Sequence, residues 1–212
     1  MNKEQRYIKG EWFSHFPLGQ ETPGQHNWID SAEEKLGGDA CEVSYYINEW
    51  RYRGHIKPGN NVNACFGCSN TFGYGVQTAY PQLVKFTNCG INGISNDAIA
   101  RMAYAYCEQF NPKVITVLWT FNNRREWVDD KGVIHKFKSQ ENQQLFELQN
   151  EAADDYNFYK NKIFLQSYCK SKDIKMLDYN FHSNDKGARD GMHPGPDWHV
   201  NMAANILGDL RD

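Results

Sequence analysis

Apolar positions along the chain gather into short dense runs separated by longer amphipathic stretches. The clearest run is KVITVLWT at 113–120, continuous and β-branched, the pattern of a parallel strand covered on both faces. VNACF (62–66) and LVKFTN (83–88) read as further buried strands, and IKMLDY (174–179) as a fourth. Between them the period lengthens. SNDAIARMAYAYCEQF opens with Ser95, Asn96 and Asp97 as capping residues and sets Ile99, Met102, Ala103 and Tyr106 on one helical face. A longer helical stretch, from about Ser139 to Ser171, carries Leu145, Leu148, Ala152, Tyr156, Tyr159, Ile163 and Leu165 at mostly helical spacing. A last helix, DWHVNMAANILGDL, has its start marked by Pro194 and Pro196. Strand alternating with helix predicts an α/β fold, a parallel sheet with helices on both faces in a three-layer α/β/α arrangement. Ligands in such sheets sit beyond the carboxyl ends of the strands.

Residues 1 to about 60 break this rhythm. They are rich in aromatics, Gly, His and Asn, HFPLGQETPGQHN reads as irregular loop, and CEVSYYINEWRYRG alternates as a strand does. The expected organisation is an N-terminal extension over 1–60 that packs on a main domain at 61–212 and does not fold alone. A chain of 212 residues with 40% hydrophobic content suffices for one full core, since folding at this size hides roughly 70% of the unfolded surface.

The formal net charge of -3 gives no cationic field, which sets nucleic-acid binding aside. No apolar run approaches the length of about 20 residues that spans a bilayer, and MNKEQRYIKGEWF lacks the apolar core of a signal peptide. A cytoplasmic protein is expected, although later release, for example with a virus particle, would leave no mark on the sequence. Six cysteines in this context read as reduced thiols. Oligomeric state leaves no signature.

The predicted strand ends carry the polar chemistry. ACF runs into Gly67, Cys68, Ser69 and Asn70; LVKFT into Asn88, Cys89, Gly90, Ile91, Asn92 and Gly93; VITVLWT into Phe121, Asn122 and Asn123. Near the C-terminus, RDGMHPG sets Asp190 and His193 three residues apart in a loop before the last helix. Cys65 and Cys68 also have the spacing of a redox dithiol. Such a motif belongs at an exposed helix N-terminus, whereas Cys65 lies inside the apolar strand. Cys89, Cys107 and Cys169 lie singly on other elements, so no metal site and no cofactor is expected.

In these blocks the sequence resembles the SGNH hydrolases, also called GDSL esterases and lipases. Gly67-Cys68-Ser69 with Gly73 and Gly75 fills the place of the family's Gly-Asp-Ser block, and NCGING matches the second block with Asn88 and Gly93. TFNN puts Asn122 in the functional place of the third, with Thr120 and Asn123 departing from its flanking Gly and Asp. Asp190 and His193 meet the last block in full. The resemblance covers residues 67–193 and implies a flavodoxin-like parallel sheet and a serine esterase. Ser69 is the implied nucleophile, His193 its base and Asp190 the residue that orients the imidazole. The backbone N–H groups of Ser69 and Gly93 and the Asn122 amide are the implied oxyanion hole. That chemistry is physically coherent: a serine hydroxyl needs a base within hydrogen-bond reach, and losing one oxyanion donor costs about 3 kcal/mol. Cys68 cannot accept hydrogen bonds as the family's carboxylate does. His182 and His199 compete with His193 for the role of base.

The implied substrate is a small ester or acylated carbohydrate, with O-acetyl as the acyl group. Tyr74, Trp119, Trp127 and Trp198 are expected to stack on sugar rings, and Arg124 and Arg125 to meet an acidic glycan; the competing reading buries the tryptophans and solvates the arginines. The insertion RREWVDDKGVIHKFK should lie at the cleft, because it leaves a strand's carboxyl end. Two other functions stay open: a non-catalytic module that binds a glycan or protein on this scaffold, and an O-acyltransferase.

Overall fold

The continuous apolar run becomes the middle of a sheet. The computed structural model describes residues 16–28, 43–130, 133–136, 150–181, 186–188 and 191–211. In chain order the elements are β1 (Gly24–Trp28), β2 (Val43–Ile47), β3 (Ala64–Gly67), α1 (Ser69–Phe72), α2 (Tyr80–Leu83), β4 (Thr87–Gly90) and α3 (Asn96–Phe110). They continue with β5 (Val114–Trp119), β6 (Glu126–Val128), β7 (Ile134–Lys136), α4 (Glu151–Ser171), β8 (Lys175–Asn180) and α5 (Pro196–Asp209). The main sheet has four strands in the order β4-β3-β5-β8, all parallel. From β3 the chain steps outward to β4, then crosses back past β3 to β5, so the order reverses between β3 and β5. That reversal is where open α/β sheets form a ligand crevice.

Alternation along the strands divides the interior in two. Phe66, Ile115, Val117 and Trp119 face α3 and α4 and pack with Ile99, Tyr106 and Leu165. Cys65 and Leu118 face the other way, onto α2 and α5, where Tyr80, Met202 and Ile206 meet them. Helices therefore cover both faces, an arrangement compatible with the expected three layers.

Two elements depart from the sequence pattern. LVKFTN is not one strand: Leu83 closes α2, Lys85 takes φ 61°, and extended structure starts only at Thr87. Pro81 sits in the first turn, where a missing N–H costs nothing, and Gln82 Oε1 accepts from the Ala79 N–H at 2.7 Å. The long helix has its described start at Glu151, with Asn150 as N-cap accepting from the Ala153 N–H at 2.9 Å; residues 137–149 lie outside the described ones. Its buried stripe is Asp154, Phe158, Asn161, Leu165 and Cys169, while Tyr156, Tyr159 and Ile163 of the expected apolar face are exposed. Periodicity misplaces the face because two of its inward residues are polar and individually partnered. Asn161 donates to Asp97 at 2.9 Å, and Asp154 pairs with Arg125.

The described residues before β3, 16–28 and 43–63, are built into this body. Phe16 stacks on Tyr52 and meets Phe66, Tyr106 and Phe110 edge-on, and the Asn61 N–H bonds the Phe110 carbonyl at 2.8 Å. β1 and β2 form an antiparallel pair, as do β6 and β7. Among the described residues no helix is long and apolar enough to cross a membrane.

Candidate active site

Ser69 is the first residue of α1, two positions past the end of β3. The turn needs the glycines around it. A Cβ on Gly67 would stand 2.0 Å from Thr71 Oγ1, and one on Gly90 would stand 2.2 Å from the Phe72 backbone nitrogen, so side chains there would push α1 off the sheet. Asn88 ties the end of β4 to α1, donating to the Phe72 carbonyl at 3.2 Å and accepting from the Gly90 N–H at 3.0 Å. Cys68, in the place of a carboxylate, is buried with its sulfur 3.9 Å from Ser69 Oγ and 3.8 Å from Asn70 Nδ2, contacts of a weak acceptor.

A residue the sequence did not flag fastens this loop. Arg53 is buried and forks to four backbone carbonyls, of Phe72 (3.0 Å), Gly73, Val76 (2.8 Å) and Gln77 (2.9 Å), with its guanidinium 4.1 Å above the Tyr45 ring. Burial lowers its pKa to about 10, which leaves it a cation at neutral pH. The Tyr45 hydroxyl accepts from the Gly75 N–H at 2.7 Å, so β2 also holds the loop.

At the end of β4, Gly93 has φ 67°, a conformation natural to glycine, and nothing lies within 4 Å of where its Cβ would be. The end of β5 is set by Asn96, whose amide bonds Thr120 twice: Nδ2 donates to the carbonyl at 3.2 Å and Oδ1 accepts from the N–H at 2.9 Å. Just beyond, Asn122 Nδ2 donates to Asp155 Oδ1 at 2.7 Å, turning the amide toward α4. A primary amide carries two N–H bonds, so one donor remains beside that contact.

The loop before α5 brings in the imidazole. His193 Nε2 lies 2.9 Å from Ser69 Oγ across 124 residues of sequence, and the Tyr74 ring flanks it with centroids 5.1 Å apart. The His193 carbonyl accepts from the Ala188 N–H at 3.0 Å. Asp190 and the rival His182 lie outside the described residues. The other rival is buried: His199 stacks on Tyr80 and its Nδ1 accepts from the Tyr80 N–H at 3.3 Å. Cys65 is fully buried, and burial raises its thiol pKa strongly, the opposite of a reactive dithiol.

The residues expected to meet substrate scatter. Trp119 is 1% exposed, edge-on to Phe158 with its indole N–H on Asp178 at 3.3 Å, so it is a core side chain and no ligand reaches it. Trp127 stacks on His135 within the β6–β7 hairpin. Trp198 packs edge-on against Tyr80, Phe181 and His199. Arg124 lies over the Phe121 ring and donates to Thr120 Oγ1 at 3.1 Å, while Arg125 pairs with Asp154 at 2.5 Å. The hairpin itself leans on α3: the Glu126 N–H donates to Asp97 at 2.9 Å, and its carboxylate bonds Arg101 at 3.0 Å. Val128 and Ile134 wall a cavity of about 410 Å³ with Phe164, lined by none of Ser69, Gly93, Asn122 or His193. The described part of the insertion thus packs on the helices.

A larger cleft, about 720 Å³, opens beyond the carboxyl ends of β5 and β8. Asn122, Asn180, Glu151, Asp155, Phe121 and Tyr159 are on its walls with Thr120, while Ser69, Gly93 and His193 are not among its lining residues. Compared by sequence, the chain matches no protein-family model and no curated protein.

Proposed function

We propose that the protein is a serine esterase of the SGNH type, hydrolysing a small carboxylic ester through an acyl-enzyme on Ser69. One observation carries the reading: His193 Nε2 stands 2.9 Å from Ser69 Oγ at the carboxyl end of the central strands. With the ring proton on Nδ1, Nε2 accepts from the hydroxyl and takes its proton as Oγ attacks the acyl carbon. Collapse of the tetrahedral intermediate returns that proton to the leaving alcohol, and water repeats the sequence to free the acid. The oxyanion would be met by the N–H groups of Ser69 and Gly93 and by the second Asn122 N–H. The open space in front of Gly93 supports that role. The strand order β4-β3-β5-β8 corresponds to the first four strands of the five-stranded flavodoxin-like order 2-1-3-4-5, which is in keeping with the family reading. In this scheme Asp190 orients the imidazole.

A fluorophosphonate probe tests the reaction class, because only an activated hydroxyl displaces its fluoride. Labelling of Ser69, with acetate release from p-nitrophenyl acetate that falls by about 10⁴-fold or more in Ser69→Ala, is the expected result. A silent probe would favour the second reading, a binding module on the same scaffold, which the engagement of Asn122 by Asp155 and the thiol at position 68 would then explain.

A further inference from the structure

We infer that the cleft beyond β5 and β8 holds the alcohol half of the ester, and that this half is an uncharged, hydroxyl-rich ring such as a neutral sugar. The inference rests on the esterase reading for the position of the scissile bond. Register supplies the geometry. Gly67 of β3 pairs with Leu118 of β5, so Ser69 and Thr120, each two residues further on, leave the sheet on adjacent strands. Adjacent strands are about 5 Å apart and β8 follows at about 10 Å, so the cleft runs outward from the nucleophile across two strand ends. Its volume of about 720 Å³ is that of a small-ligand site.

The lining selects the ligand. Asn180 offers an amide donor and acceptor, Asn122 its amide oxygen, Glu151 and Asp155 offer acceptors, and Phe121 and Tyr159 stand 54% and 56% exposed on the walls. Amides and carboxylates beside exposed rings suit a molecule with hydroxyls around its rim and C–H faces above and below. A long alkyl group would strip water from those polar atoms and return nothing. An anion fares worse, since among the described residues no Lys, Arg or His is on the lining. Arg124 and Arg125, the cations nearest in sequence, are held on Thr120 and Asp154. The carboxylates do not call for a cation either, because each has local compensation. Asp154 has Arg125, Asp155 accepts from Asn122, and Glu151 occupies the first turn of the 21-residue α4, where the helix dipole favours negative charge. The acidic glycan expected from the arginines is thereby replaced by a neutral one.

The experiment uses the full chain carrying Ser69→Ala, so that esters persist, and measures binding by ligand-observed NMR. Acetylated xylo-oligosaccharide should bind, and Glu151→Gln with Tyr159→Ala, both exposed positions, should weaken it about tenfold while the variant still unfolds cooperatively. Tighter binding of acetylated oligogalacturonate, of a cationic chitosan oligomer or of octyl acetate would overturn the inference, as would a double variant that binds normally. Fluorophosphonate labelling of the unsubstituted chain separates the two claims. Labelling without neutral-sugar binding sinks the cleft assignment alone. Sugar binding without labelling upholds the cleft and sinks the esterase.

Discussion

Gly90 shows how closely one residue can control another it never bonds. A methyl group there would overlap the backbone of Thr71 and Phe72 at 2.7 and 2.2 Å, so Gly90→Ala must displace α1 and Ser69 with it. We expect a loss of about 1–3 kcal/mol in urea unfolding, together with weaker fluorophosphonate labelling of the folded fraction. Gly93→Ala separates strain from clash. With open space around the added carbon but φ at 67°, it should cost about 1 kcal/mol of stability while lowering kcat/KM more steeply, since the methyl projects where an oxyanion would sit. Arg53→Lys keeps the charge and loses the fork. Stranding even one buried carbonyl costs about 1–3 kcal/mol, and calorimetry should show a fall of at least that size, whereas a surface arginine would show none. Nothing in RYRG marks Arg53 out from its neighbours. Its role is fixed by where residues 72–77 arrive from elsewhere in the chain, which no local pattern encodes.

At the scale of elements, what was legible divides along similar lines. β3 and β5 were readable because burial on both faces demands unbroken apolar runs, and Ser69 and Asn122 were readable as the polar residues that follow their ends. α4 was readable as a helix but not in its orientation, since Asp154 and Asn161 face inward against specific partners while Tyr156, 73% exposed, faces out. The strand expected at 83–88 failed because side-chain apolarity there serves a one-turn helix and then the flank of the sheet. Asn96 joins two elements: it reads as a helix-start residue, yet its amide holds the carboxyl end of β5. Asn96→Ala should therefore act on rate as well as stability. We expect kcat to drop while KM for p-nitrophenyl acetate changes little, because the mutation loosens Thr120–Asn122 without touching Ser69. A change confined to thermal stability would show that the contact is only structural.

For the whole molecule, Phe16, Tyr52 and Arg53, all before β3, are part of the interior. A fragment of residues 61–212 should lack cooperative thermal unfolding and bind a hydrophobic dye. If that fragment unfolded cooperatively and labelled with fluorophosphonate, the extension would be dispensable. The separation of 124 positions between Ser69 and His193 has one more effect. A ribosome adding about 5–20 residues per second needs roughly 6–25 s to travel that interval. During translation the loop can be fastened by Arg53, already made, while its alcohol still lacks a proton acceptor. On the proposed esterase reading, Ser69 cannot be activated until the loop before α5 has been synthesised.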